Sequence, residues 1–157
     1  MKGGIVIGSI LDAPAAEVWR VVRTIEGVNA ELAPWLRMTA PPAFTGRALD
    51  EAPLRTPIFA STLLFLGLVP FDRHRLSFES IASDEGFVER STSLLHRAWR
   101  HERRVRPSGP RSCTLVDDVD FVPRIASVHG GVRALVWRVF VHRHARLRAR
   151  FGGAAIP

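Results

Sequence analysis

In the run HRAWRHERRVRPSGPRSCTLVDDVDF, from His96 to Phe121, a histidine, an arginine and an aspartate recur at spacings that chemistry can use. The run reads as two strands around a turn. Side chains alternate along a strand, so Trp99, His101, Arg103 and Val105 share one face of the first strand, and Ala98, Arg100, Glu102, Arg104 and Arg106 share the other. The first face is the less charged and must turn inward. In the second strand Cys113, Leu115, Asp117, Val119 and Phe121 form the apolar set. A three-residue loop within PSGP, with Gly109 supplying a left-handed residue, pairs inward with inward positions and sets Asp117 opposite or diagonal to His101. In the preceding FVERSTS, alternation groups Phe87, Glu89, Ser91 and Ser93. Their side is taken as inward because Arg90, on the other, is harder to bury.

An imidazole oriented by a carboxylate is a general acid or base, and a neighbouring guanidinium polarises a carbonyl or enolate. His101, Asp117 and Arg103 are therefore the candidate catalytic residues. The same groups can instead orient a ligand, or simply satisfy one another, because buried charge is costly unless paired. The candidate ligand-binding set is Phe78, Glu89, Trp99, His101, Arg103, Leu115, Asp117, Val119, Val136 and Phe140. A mostly apolar pocket with a few convergent polar groups is the usual form of a small-molecule site. Cys113 falls on the same face near Arg103 and reads better as a small buried hydrophobe than as a nucleophile. His142 and His144, two apart on a helix, point to different sides, and no acidic residue follows Asp120; neither pattern suits a metal. No glycine-rich phosphate loop, zinc spacing or aromatic-glycine RNA motif is present.

The elements that must position these groups follow from periodicity. Gly4 to Leu11 reads as a strand, and DAPAAEVWRVVR as a helix capped by Asp12 or Ala13, with Val18, Trp19 and Val22 on one side. A second short helix is expected over Gly27 to Leu32, then a strand start at WLRM. Four prolines between Thr39 and Pro57 predict a long irregular loop, of the kind that gates a site. Strands are expected over 58–66, 74–82, 87–95, 98–105 and 112–122, separated by GLVPFD, SDEG and PSGP. A helix over Val128 to Arg150 closes the chain, with Val132, Leu135, Val136, Val139, Phe140 and Leu147 as its apolar stripe. Such an order predicts an α+β fold: a curved antiparallel sheet wrapped around one long C-terminal helix, with two short helices after the first strand.

The stretches APAAEVWRVV, VNAELAPWLRMT, LFLGLVPFDRHRL, GFVERSTSLLHRAWRHERRV, VDDVDFVPR and FVHRHARLRARFG resemble a bacterial branch, of unassigned role, of the SRPBCC or START-like superfamily of helix-grip proteins. The resemblance spans nearly the whole chain. It departs at Ser112 and Cys113, where a glycine-threonine is expected, and at Ala145, where a basic residue is. It implies a helix-grip fold and one of two functions. One is binding or carriage of a hydrophobic or aromatic small molecule, a lipid included. The other is a polyketide-type cyclase, aromatase or dehydratase using His101 and Asp117 as its acid/base pair.

With 157 residues, 46% hydrophobic and 24% charged, the chain reads as one globular domain over 1–157. Its formal charge of +7 comes almost wholly from arginine, Lys2 being the only lysine, a bias that is weak evidence for nucleic acid. No nucleic-acid partner is expected, and the arginines of the last helix read as a solvated face. One cysteine excludes an internal disulfide and suits a reducing, cytoplasmic setting. The start MKGGIVIGSILDAPAA has a faint look of a signal peptide but reads better as the first strand. The uncharged run 56–71 is too short for a membrane span and is expected as a buried strand and its turn. No cofactor is expected, nor integral membrane association; the chain reads as a monomer or homodimer.

Overall fold

The structure is a computed structural model that describes residues 4–157. Among them the chain runs β1 (Ile5–Leu11), α1 (Ala15–Val22), α2 (Ile25–Leu32), β2 (Leu36–Met38), β3 (Phe59–Phe65), β4 (Val69–Leu76), β5 (Phe78–Ala82), β6 (Gly86–Ser93), β7 (His96–Gly109), β8 (Ser112–Pro123), α3 (His129–Phe151) and β9 (Gly153–Ala155). The strands form one antiparallel sheet in the order β2-β3-β4-β6-β7-β8-β1-β9, with β5 also paired to β6. The long α3 lies against the sheet's inner face, where Val136, Phe140 and Leu147 are buried. This is the α+β helix-grip architecture expected.

Local chemistry explains the short helices. Pro14 caps α1 by conformation alone, in place of Asp12 or Ala13, and Ala15, Val18, Trp19 and Val22 recur at helical spacing on its buried side. Thr24 starts α2 two residues earlier than expected, because its Oγ1 accepts a hydrogen bond from the Gly27 N–H at 3.0 Å. The expected loop over 39–57 is irregular but pinned. Leu49 N–H donates to Arg23 O at 2.8 Å, Ala48 bridges Thr24, and Leu54 bridges Phe78. These contacts tie it to the α1–α2 junction and to β5.

Several expectations are corrected. Met1 to Gly3, the basic start of the signal-like stretch, lie outside the described residues; the apolar run after them is β1, paired along its length with β8. The stretch 74–82 is two strands, interrupted at Ser77: among the strands β4 pairs with β3 and β6, and β5 with β6. GLVPFD is only partly a turn, since Val69 to Asp72 already belong to β4. Its neighbourhood is also not buried: Phe65, Leu66, Leu68 and Val69 are exposed. Leu135, assigned to the helix stripe, faces solvent. Beyond α3 a short β9 adds to β1, which composition alone did not signal.

Candidate functional site

The β7–β8 register sets the geometry. Gly109 pairs with Ser112 across a two-residue loop, Pro110–Arg111, and a bulge at Pro107–Gly109 restores the in-phase pairing that a three-residue loop was expected to give. Gly109 is not in a left-handed conformation. Trp99 then faces Phe121, His101 faces Val119, Arg103 faces Asp117 and Val105 faces Leu115. Asp117 is therefore diagonal to His101, the second of the two expected registers. On the other side β6 brings Glu89 opposite His101. Gly86 allows this approach: at φ 149 it lies so close to β7 that a Cβ would stand 1.9 Å from Arg103 O.

All of the expected polar groups point inward, and they bind one another. Arg103, with no exposed surface, donates from Nε and Nη2 to the two oxygens of Asp117, both at 2.7 Å. Its Nη1 and Nη2 donate to Glu31 at 2.7 and 2.9 Å. One guanidinium thus makes two forked pairs, the geometry for which arginine is suited and lysine is not. Arg143 of α3 donates to Glu31 at 2.8 Å, and His144 bridges Asp117 at 3.0 Å to Ser9 at 2.9 Å. Arg148 donates to the same Ser9 hydroxyl at 2.8 Å. On the opposite flank His101 contacts Asp117 through Nε2 at 2.8 Å and faces Glu89 through Nδ1 at 3.5 Å. Glu89 also accepts from Ser91 and pairs with His74 Nε2, both at 2.6 Å.

Burial would raise the carboxyl pKa values; the neighbouring cations win. Arg103 and His101 hold Asp117 well below the usual carboxylate range, and Arg103 and Arg143 lower Glu31. Glu89 is driven down by its bonds to His101 and His74. Burial likewise opposes charge on Arg103 and His74, yet Asp117 and Glu31 raise the first, and Glu89 raises the second. Two buried arginines, Arg103 and Arg143, face three buried carboxylates, Glu31, Glu89 and Asp117.

Phe78, Leu115, Val119, Val136 and Phe140 are buried on the inner side as expected, but this network divides them. Leu115 packs with Val18 and Trp19; Phe78 with Leu49 and Leu76; and Val119, Val136 and Phe140 with Phe121 and Trp99. The space between sheet and helix, where an apolar pocket was expected, is crossed by this charge network. A small recess of about 10 Å³, beside Trp19, Leu49 and Phe78, has room for about one water. A larger groove of about 550 Å³ lies on the outer face, lined by Glu102, Arg104 and Arg106. Cys113 is fully buried in the α1 cluster, and burial pushes its thiol pKa up, as a small hydrophobe requires.

Trp99 differs from the rest. It sits on the inward face yet stays half-buried, ringed by His96 at 5.2 Å, His74 at 5.9 Å, Phe121 at 6.1 Å and Phe140 at 6.3 Å between centroids. His96 carries the useful polar atom. Both lone pairs of Ser93 Oγ accept backbone N–H groups, from Leu95 at 3.1 Å and His96 at 2.9 Å, so its hydrogen goes to His96 Nδ1 at 3.3 Å. The remaining ring proton is then on Nε2, which is buried without a partner. Burial holds the His96 pKa below its ordinary value.

Sequence reasoning missed Glu31, His74, His96, Arg143 and His144. The helix offered a signal: between Phe140 and Leu147 the buried stripe must pass through 143 and 144, which are arginine and histidine.

Comparison with known proteins gives the fold's relatives. Among solved structures the chain is similar to DynU16, a protein of the dynemicin biosynthetic locus, at 18% identity and TM-score 0.59, covering 98% of this chain. The chain spans only 49% of DynU16. It is similar to a START superfamily protein from Mycobacterium smegmatis at 14% identity and TM-score 0.66, covering 94% of this chain and 96% of that one. The Zhui aromatase/cyclase from Streptomyces sp. R1128 gives 16% identity and TM-score 0.66, covering 94% and 92%. No curated protein sequence matches. The family described as "Domain of unknown function (DUF8410)" matches residues 9–151, so the chain belongs to that family, and its architecture is the helix-grip fold of the SRPBCC, START-like, superfamily.

Proposed function

We propose that the protein binds a hydrophobic or aromatic small molecule on the inner face of the sheet around Trp99, with the buried charge network as the frame that positions this face. The carrying observation is the half-buried Trp99 within a ring of aromatic side chains, beside an unpartnered His96 Nε2–H. Stacking on the indole would hold a planar apolar body, and His96 would donate to a carbonyl or hydroxyl oxygen on it. Phe140, Val136 and Val119 would complete the contacts; Phe78 and Leu115 lie beyond the network, and Glu89, His101, Arg103 and Asp117 are spent on one another.

The helix offers a route by which a ligand would enter. The C-terminal half of α3 is pinned by Arg143 and His144 to Glu31 and Asp117. Its N-terminal half begins with exposed Gly130 and Gly131, which weaken a helix. Displacing that half would uncover Trp99 while the network holds. A cyclase reading draws on a relative's fold, and the geometry favours it less: both ring nitrogens of His101 face carboxylates, leaving none for a substrate.

Native mass spectrometry of the purified chain and titration with an apolar dye test the reading. One bound molecule per chain is expected, with affinity lost in Trp99→Ala and reduced in His96→Phe, each checked for folding by circular dichroism. Unchanged affinity in a folded Trp99→Ala variant would remove the site from this face.

A further inference from the structure

One end of the sheet carries a rim of exposed apolar side chains that the ligand reading does not use and on which this inference does not depend. β2, β3, β4, β6, β7 and β8 are successive neighbours. Their antiparallel order brings the start of β2, the β3–β4 turn, the β6–β7 turn and the end of β8 to the same end. Hydrogen bonds tie these segments together: Leu66 N–H donates to Trp35 O at 2.7 Å, Leu95 N–H to Asp72 at 3.2 Å, and Arg124 N–H to Leu95 O at 2.9 Å. Across six strands the rim is about 24 Å wide.

The tips are apolar where turns are ordinarily polar. Leu68 is 80% exposed, Leu94 66% and Ile125 62%, with Trp35 beside them at 53%. At the β3–β4 turn Leu66 and Gly67 both have positive φ, 52° and 71°. This turn favours Asn-Gly, and a leucine in the left-handed region is sterically disfavoured. A solvent-facing leucine held there at the expense of stability points to use of its side chain.

Charge identifies the occupant. The exposed charged residues on these segments are Arg37, Arg73, Arg97 and Arg124, and the one acid, Asp72, is buried and accepts backbone N–H groups. A second copy docking here by two-fold symmetry would set arginine against arginine with no carboxylate to meet it. Apolar tips also match no phosphate backbone. We infer that this rim is a peripheral docking surface for an anionic lipid bilayer, with Leu66, Leu68 and Leu94 entering the acyl boundary, Trp35 at the headgroup level, and the arginines on the lipid phosphates. The combination meets the requirement that stable peripheral attachment have two signals, apolar insertion and basic attraction.

Cosedimentation of the full chain with vesicles of phosphatidylcholine and phosphatidylglycerol, against phosphatidylcholine alone, tests this. Binding is expected to the anionic vesicles and to weaken as salt is raised. Leu68→Ser should reduce it at least about tenfold, the transfer cost of one leucine side chain. Arg73→Gln and Arg97→Gln should each reduce it about fivefold. Leu66→Asn separates surface from fold: it suits the turn, so thermal stability should hold or rise while vesicle binding falls. Brominated acyl chains should quench fluorescence in the parent chain and less in Trp35→Phe. The inference is overturned by no binding to anionic vesicles, by equal binding of a folded Leu66→Asn/Leu68→Ser variant, or by a dimer in sedimentation velocity that this variant dissociates.

Discussion

Replacing Arg103 by methionine removes the group through which the sheet holds α2, since its guanidinium ties Asp117 of β8 to Glu31 of α2. The guanidinium is fully buried and makes four charge-assisted hydrogen bonds of 2.7 to 2.9 Å, two to Asp117 and two to Glu31. Methionine fills much of the volume but leaves both carboxylates without their main counter-ion. Stranding a buried charge in this way costs about 3–5 kcal/mol. A domain is stable by only about 5–15 kcal/mol, so about a fifth or more of the total is at stake. At about 2–4 °C per kcal/mol, the melting temperature should fall by roughly 6–20 °C. The loss should depend on pH. In the parent chain Asp117 and Glu31 have lowered pKa values, so their contribution is present above the unfolded carboxyl range and fades as pH falls through the folded values. Without Arg103, burial dominates and their folded pKa values rise, so protonation relieves the variant as pH falls. The stability gap should therefore be widest near neutral pH and narrow toward acid. Urea unfolding of both chains across that range measures it. A gap under about 1 kcal/mol at neutral pH, the size of an ordinary surface substitution, with no narrowing in acid, would refute the view that these ion pairs hold the frame.

Two further outcomes follow from the interior. His74→Gln should cost more stability at pH about 5.5 than at pH about 9, because a raised histidine pKa contributes fully below the unfolded value near 6.5 and is lost as pH climbs through the folded one; equal losses at both would detach His74 from Glu89. The buried Cys113 thiol should react with a disulfide reagent in the native chain only as fast as the chain unfolds, and quickly in denaturant; rapid native labelling would contradict its burial.

Alternation with period two was enough to turn His101, Arg103, Asp117 and Glu89 inward, since a strand's geometry is local and the burial cost of Arg90 orients the neighbouring strand. Helical spacing likewise placed Val136, Phe140 and Leu147 against the sheet. Only tertiary structure decided what those polar groups face. Glu31 reaches Arg103 from 72 residues away and Arg143 from 112, through helices whose docking no local pattern encodes. That docking turns an expected pocket into a charge-filled interior and leaves Trp99 and His96 as the inner face with unspent capacity. Strand pairing across the sheet gathers four chain segments into the arginine-flanked apolar rim, where sequence alone showed a buried strand. Periodicity fixes the side of an element on which a residue stands; the partner it meets there depends on contacts between distant segments, and those exist only once the chain has closed on itself.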